Sequence, residues 1–363
     1  MASLAVDPTQ GYTDNWDDAD GYYCFRVGEV LQGRYEVFAT HGRGVFSTVL
    51  RARDREGARG EDGELPEVAI KIIRANDIMH KAAQLELVIL RKISAADPEG
   101  KRHCVRLLSQ FEYRGHMCMV FEPMALNLRE VLKKFGRDIG INIDAVRAYA
   151  TQAFIALKHL KTCGVLHADI KPDNILVNSQ MLVLKVCDFG SAMFAGENEI
   201  TPYLVSRFYR APEIILGLPY DHALDMFSVG TCLFELYTGK ILFPGRTNNE
   251  MLKLMMDYKG AFPKRMLRKA AFVEKHFEDE STFSLVEEDP VTKQEVRRLI
   301  SNPKATKDFS AVLLGAGDPK TPADKKKVLQ LADLLEKMMH LDPDKRIKPT
   351  EALQHPFIKE RAG

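Results

Sequence analysis

The chain has 363 residues, 45% of them hydrophobic, enough to bury the core of one large or two ordinary domains. Lys plus Arg number 51 and Asp plus Glu 50, a formal net charge of +1, so bulk charge recruits neither nucleic acid nor an acidic substrate, and any charge preference must be local. The six cysteines (Cys24, Cys104, Cys118, Cys163, Cys187, Cys232) form no CxxC pair, which argues against a zinc site or disulfide framework and for reduced thiols of an intracellular protein. No apolar run approaches the ~18 residues of a membrane span, and no basic region followed by an apolar run marks secretion.

Residues 1–34 are predicted to form a flexible lead-in; up to about residue 25 they are polar and acidic (Asp14, Asp17, Asp18, Asp20) with neither a 3.6 nor a 2 period. Strand-like runs follow at Tyr35–Ala39, Phe46–Ala52 and Val68–Ile73, the last two separated by a Gly-rich, charged hairpin loop. A helix is predicted over Lys81–Ile93, then strands at Val105–Tyr113 and Met117–Phe121, composing a small antiparallel sheet with one helix. After Pro123 the pattern turns helical. Ile143–Leu160 carries an apolar face (Val146, Tyr149, Ala150, Ala153, Phe154, Leu157), and helical signal returns at His222–Thr238 and Val328–His340. About 260–325 is charged and weakly periodic, as an insertion would be. The expected fold class is α+β: a small β-rich lobe joined to a larger, mainly helical one, with a ligand cleft at the junction.

Chemistry concentrates in a few stretches. Gly42-Arg43-Gly44-Val45-Phe46-Ser47-Thr48-Val49 is a glycine-rich turn whose backbone N–H groups can approach phosphate oxygens, or an ordinary hairpin turn. A dinucleotide-binding reading requires the glycines to open a helix, and here a strand follows. Val68-Ala69-Ile70-Lys71 puts a lysine in an apolar strand, where the ammonium needs an anion; Glu86 in the next helix can supply it, or be a solvated surface acid. His167-Ala168-Asp169-Ile170-Lys171-Pro172-Asp173-Asn174, followed 14 residues after Asn174 by Asp188-Phe189-Gly190, provides oxygen donors of the kind that hold Mg²⁺ and accept a hydroxyl proton.

Together, and in this order, these residues resemble the eukaryotic protein kinase signature over about Tyr35 to Phe357. The resemblance implies a bilobal kinase domain over 35–358: an N-lobe 35–121, a hinge 122–125 and a C-lobe 126–358 with the insertion near 260–325. It implies ATP and Mg²⁺ as cofactors. Asp169 becomes the catalytic base, Lys171 the cation near the γ-phosphate, Lys71 with Glu86 the α/β-phosphate pair, and Asn174 and Asp188 the metal ligands. Gly42, Gly44, Val49, Ala69, Lys71, Phe121, Glu122, Met124 and Leu176 become the ATP-binding set, with Phe121 as gatekeeper and the backbone of Glu122 and Met124 bonding adenine. His167 would pack under Asp188 and Phe189. Glu213, in the Ala211-Pro212-Glu213 that closes the activation segment, would pair with Arg346, and Asp225 would anchor the catalytic loop.

Lys171, two residues after the base, is the pattern of serine/threonine kinases. Tyr203 to Glu213, with His167-Ala168-Asp169 and Thr238 to Gly245, resembles the CMGC group and within it the pre-mRNA-processing factor 4 kinase branch, near the DYRK and CLK families. That likeness implies a nuclear, monomeric enzyme acting on spliceosomal proteins, without direct nucleic-acid or membrane binding. Ala168 replaces the arginine that usually pairs with an activation-loop phosphate; control is expected at Tyr203 instead, with Arg207 and Arg210 as partners of its phosphate, the alternatives being Tyr203 as packing for the substrate groove or the arginines as simple surface charges. Phe227 stands where relatives carry Trp, and Cys187 is expected to be a small packing residue. The competing reading is a kinase-fold scaffold that binds partners without catalysis.

Overall fold

The computed structural model describes residues 16–197, 199–289, 292–316, 319 and 321–360. The chain forms two compact units, one of 1–88 with 106–123 and one of 89–105 with 124–363.

The first unit is a six-stranded antiparallel sheet in the order β1-β2-β3-β4-β6-β5: β1 Val30–Leu31, β2 Tyr35–Arg43, β3 Ser47–Asp54, β4 Glu67–Ile73, β5 Leu107–Tyr113 and β6 His116–Phe121. Helix α1 (Asp77–Ala95) follows β4, and its first residues are capped by Asn76 Oδ1, which accepts from the N–H of Ile78 and Met79. Period-two burial sorts the sheet's faces: Leu50, Ala52, Val68, Ile70, Ile72 and Val120 form the core, while Val49, Ala69 and Lys71 alternate to the other face.

The lead-in differs from expectation. Residues 1–15 lie outside those described, but from Trp16 onward the segment packs on the sheet: Tyr23 and Leu31 join the core, and Trp16 and Phe25 lie against it. The buried His116 imidazole bridges Asp17 (2.7 Å) and the carbonyl of Ile73 (2.7 Å). The aromatic residues, sparse and aperiodic, act singly here as anchors, which a periodicity search does not register.

The second unit opens with β7 (Leu126–Asn127) and α2 (Leu128–Phe135), whose first turn is closed by a capping box between Asn127 and Glu130. Helix α3 (Ile143–Thr162) leads to β8 (Val165–Leu166), the hairpin of β9 (Ile175–Val177) and β10 (Leu184–Val186), and β11 (Met193–Phe194), which pairs with β8. Helices α4 (Pro212–Leu216), α5 (Ala223–Thr238), α6 (Asn248–Lys259) and α7 (Lys264–Leu267) follow. Helix α5 is buried on every side from Leu224 to Thr238, as the central helix of a core must be. It ends at Gly239 in the left-handed conformation (φ 71°), where a Cβ would come within 2.6 Å of the Ile139 nitrogen.

The stretch near 260–325, expected to be weakly periodic as an insertion would be, holds a three-stranded antiparallel meander, β12 (Phe277–Asp279), β13 (Thr282–Glu288) and β14 (Glu295–Ser301), then α8 (Phe309–Ala316); α9 (Pro322–Met338) follows where helical signal was expected over Val328–His340. Only Phe283, Ser284 and Leu285 of β13 are buried, and β14 is almost wholly exposed, so its sequence carries charge where a core strand would carry alternation.

Candidate active site

In the first unit, β2 and β3 meet in a turn closed by the Gly44 N–H donating to Ser47 O (2.9 Å), with Gly42 opposite Val49. Val45 and Phe46 at its tip are 66% and 58% exposed, apolar side chains at a place where burial does not explain them. Across β3 and β4, Val49 pairs with Lys71, and across β4 and β6, Ala69 pairs with Phe121. The Lys71 ammonium reaches both oxygens of Glu86, at 2.7 and 3.0 Å, with side chains only 12% and 4% exposed. Removing one partner of such a pair would leave a buried charge alone, at about 3–5 kcal/mol. The alternative of a solvated Glu86 is thereby removed. Glu122 accepts the Arg106 N–H on its side chain (2.8 Å) and donates its own N–H to Arg106 O (3.4 Å).

The second unit holds the remaining predicted residues. Asp169 Oδ2 accepts from Lys171 Nζ (2.7 Å) and Asn174 Nδ2 (3.1 Å). Asp169 Oδ1 accepts from the Ser206 N–H (3.1 Å) and hydroxyl (2.7 Å), and Lys171 Nζ also reaches Ser206 Oγ (3.1 Å). A carboxylate so placed has a cation on one side and a hydroxyl on the other, the surroundings a base needs to meet an alcohol. Asn174 spends its Nδ2 on Asp169, leaving Oδ1 as the atom that can face a cation.

The backbone around these groups is strained and tied down. Ala168 and Asp188 both hold left-handed conformations (φ 60° and 61°) that cost non-glycine residues about 1 kcal/mol or more each. Asp225, buried at the start of α5, accepts the N–H of His167 (2.8 Å) on one oxygen and that of Ala168 (3.0 Å) on the other. Burial pushes its carboxyl pKa up, against the two amides and His167 that draw it down. His167 Nδ1 accepts from the Asp169 N–H (3.2 Å), which leaves Nε2 as the donor to Cys187 O (2.9 Å), and its ring lies 5.0 Å from that of Phe189. The β9–β10 ladder then places Asn174, just before β9, and Asp188, just after β10, at the same end of one hairpin, with Cys187 N–H donating to Asn174 O (3.0 Å). Leu176 sits half-buried on β9. Cys187 is likewise half-buried rather than sealed in the core.

Downstream, Glu213 and Arg346 are fully buried and bidentate (2.7 and 2.9 Å). Phe227 stacks on Phe243 and lies under the Arg346 guanidinium. Tyr203 is 76% exposed. Arg210 is buried, and its donors go to the carbonyls of Leu204 and Val205, to Tyr203 O and to Asn248 Oδ1. They pin Val205, a β-branched residue at φ 69°.

Two groups went unnoticed in the sequence. Ser206 is 37 residues from Asp169, and only folding brings them together. Arg129 on α2 links Asp173 (3.3 Å), the Tyr209 hydroxyl (2.6 Å) and the buried Glu235 of α5, tying the catalytic loop to the central helix. Arg129 carries no motif; its only cue is being an arginine in the first turn of a helix, where the dipole disfavours a cation.

The donor set suits Mg²⁺: Asn174 Oδ1 and the Asp188 carboxylate are hard oxygens. No group of three or more His, Cys, Asp or Glu able to hold a metal by itself occurs among the described residues, so a cation here would complete its shell with phosphate and water. A catalytic-loop carboxylate with its lysine, a second aspartate at the end of a hairpin, and a strand lysine paired to a helix glutamate define a phosphotransferase of the kinase class. The protein kinase domain family matches residues 35–358, and the chain belongs to that family.

Within it, the chain is 50% identical over 361 residues to the serine/threonine-protein kinase prpf4B of Dictyostelium discoideum, covering 99% of this chain and 43% of that one. It is 51% identical over 347 residues to the serine/threonine-protein kinase prp4 of Schizosaccharomyces pombe, covering 95% of this chain and 71% of the relative. It is 36% identical over 344 residues to the serine/threonine-protein kinase ppk5 of the same yeast, covering 94% and 38%. The likeness to the prp4 type read from the catalytic loop and activation segment thus extends over nearly the whole chain. The chain spans less than half the length of the Dictyostelium relative.

Proposed function

We propose that this chain is a serine/threonine protein kinase that moves the γ-phosphate of ATP onto a protein hydroxyl. The observation that carries the reading is Asp169: a carboxylate within 2.7 Å of both an ammonium and a hydroxyl, held on a strained loop. Lys71, kept extended by Glu86, takes phosphate oxygens, and the N–H groups of the glycine-rich turn take others. Asp169 orients the incoming hydroxyl and receives its proton, while Lys171 offsets charge on the transferred group. Asn174 and Asp188 would hold Mg²⁺, which would offset charge on the phosphates. Val49, Ala69, Phe121, Leu176 and the backbone of Glu122 and Met124 are the adenine-binding set of this reading. The presence of Lys71, Asp169 and Asp188 supports catalysis over the scaffold reading.

From the identity to the prp4-type kinases we infer spliceosomal proteins as substrates and a nuclear site of action. Tyr203 is the regulatory phosphosite of this reading. Burial and the nearby Arg207 pull the Arg210 guanidinium down to about 10, the mark of a cation short of compensating charge. No carboxylate pairs with Arg207 or Arg210 among the described residues, and a phosphate on Tyr203 supplies the missing anion.

The deciding experiment is phosphotransfer from labelled ATP to a generic basic protein, with and without Mg²⁺. Asp169→Asn should lower the rate by about 10²–10⁴-fold while ATP binding persists. Wild-type rates in that variant would overturn the assignment of the base.

A further inference from the structure

The segment Asp18–Tyr22, ahead of the kinase motifs, closes over the tip of the glycine-rich turn. The Tyr22 hydroxyl lies 2.9 Å from Gly44 O and 2.9 Å from Val45 O, its single hydrogen shared between the two carbonyls. Arg74, at the end of the strand that carries Lys71, adds Nη1 to Val45 O (3.0 Å) and its N–H to Phe46 O (3.1 Å). The same guanidinium holds the strap by donating from Nε to Asp20 O (2.9 Å). The Tyr22 ring lies between two cations, with the guanidinium carbon of Arg43 3.6 Å and that of Arg74 4.5 Å from its centroid, and Arg43 is itself paired with Asp18 (2.7 Å).

Three consecutive carbonyls of an otherwise exposed turn are therefore held. Because each peptide is planar, fixing the carbonyl of Gly44 fixes the N–H of Val45, and fixing that of Val45 fixes the N–H of Phe46. Among the described residues neither N–H is engaged by another protein group. These are the donors a phosphate would meet, and a glycine-containing turn left to itself would lose much of their alignment to backbone entropy.

We propose that Tyr22 is a positioning residue for the nucleotide: through the carbonyls of Gly44 and Val45 it holds the turn's N–H groups ready for phosphate oxygens. The proposal rests on the kinase reading above and adds a role for a segment outside the kinase motifs. It predicts an effect confined to the phosphates. Adenosine, which has none, should not depend on Tyr22.

The test compares wild type with Tyr22→Phe, which removes the hydroxyl but keeps the ring between its two arginines. Binding of Mg²⁺–β,γ-imido-ATP and of adenosine is measured by calorimetry, with KM for ATP, kcat and Tm alongside. Loss of one hydrogen bond should weaken the ATP analogue and raise KM for ATP by about 3- to 10-fold, with kcat, Tm and adenosine affinity little changed. Equal affinity of both proteins for the analogue, or an equal loss for adenosine, overturns the proposal; the second outcome would mean that Tyr22 merely stabilises the sheet. Arg74→Gln, which removes the neighbouring bond to Val45 O, should reproduce the analogue-selective loss. If wild type itself neither binds the analogue nor transfers phosphate, the kinase reading fails, a result distinct from a wild type that binds and a variant that binds as well.

Discussion

Asp169 illustrates how much of this protein's chemistry depends on single side chains set by their neighbours. Its two oxygens divide the work, Oδ2 facing Lys171 and Asn174, Oδ1 facing Ser206. Arg210 shows the opposite case, a buried cation whose three nitrogens bond backbone carbonyls and an amide rather than a carboxylate. Since an exposed Tyr203 lies beside it, with the guanidinium 5.8 Å from the ring, phosphorylation there is expected in the active enzyme. Mass spectrometry of the purified chain should find phosphate on Tyr203, and Tyr203→Phe should lower activity; an unmodified Tyr203 in fully active protein would remove the idea. The residues of the catalytic loop were legible in the sequence because each is a required chemical type at a short, fixed spacing. Ser206 and Arg129 were not, because their partners lie 37 and 106 positions away, at Asp169 and Glu235.

Among the elements, the meander of β12–β14 is joined to α6 by one buried cluster. Asn249 donates Nδ2 to Ser284 O (2.9 Å) and to His276 Nδ1 (3.2 Å), and accepts the Val286 N–H (2.8 Å). A His276 ring that accepts from Asn249 must be neutral at that nitrogen, and burial, with Lys275 nearby, pulls its pKa from 6.5 to about 4. Above pH 6.5 the ring is neutral folded or unfolded and contributes nothing to the pH dependence. As the pH falls through 6.5 the unfolded chain takes a proton that the folded chain refuses until about pH 4, so stability drops in that window. Between pH 7 and pH 4.5 this amounts to at most about 2.5 kcal/mol. Denaturant titrations at the two pH values should show His276→Gln losing that share of the acid sensitivity. Identical pH dependence in variant and wild type would count against it. The sequence read this region as an unpatterned insertion, because a strand edge that faces water needs no alternation and its charged residues dilute the periodic signal.

For the molecule as a whole, nucleotide binding is read out as stability. A ligand that binds only the folded protein raises its stability by RT ln(1 + [L]/Kd), about 2.7 kcal/mol at a hundred times Kd. Mg²⁺–ATP should therefore raise Tm; a chelator should remove most of the shift, and Asp188→Asn should make the shift insensitive to Mg²⁺. A shift that is the same with and without the metal would sink the assignment of Asp188. Local chemistry by itself determined the family, the candidate catalytic residues and the order of strands and helices, since short motifs and periodic burial act over neighbours in the chain. Tertiary structure alone decided that residues 16–31 cover the sheet, that Tyr22 reaches the glycine-rich turn and that Ser206 closes on Asp169. Those contacts join residues tens of positions apart, and no spacing rule encodes which distant partner a side chain meets once burial has chosen the fold.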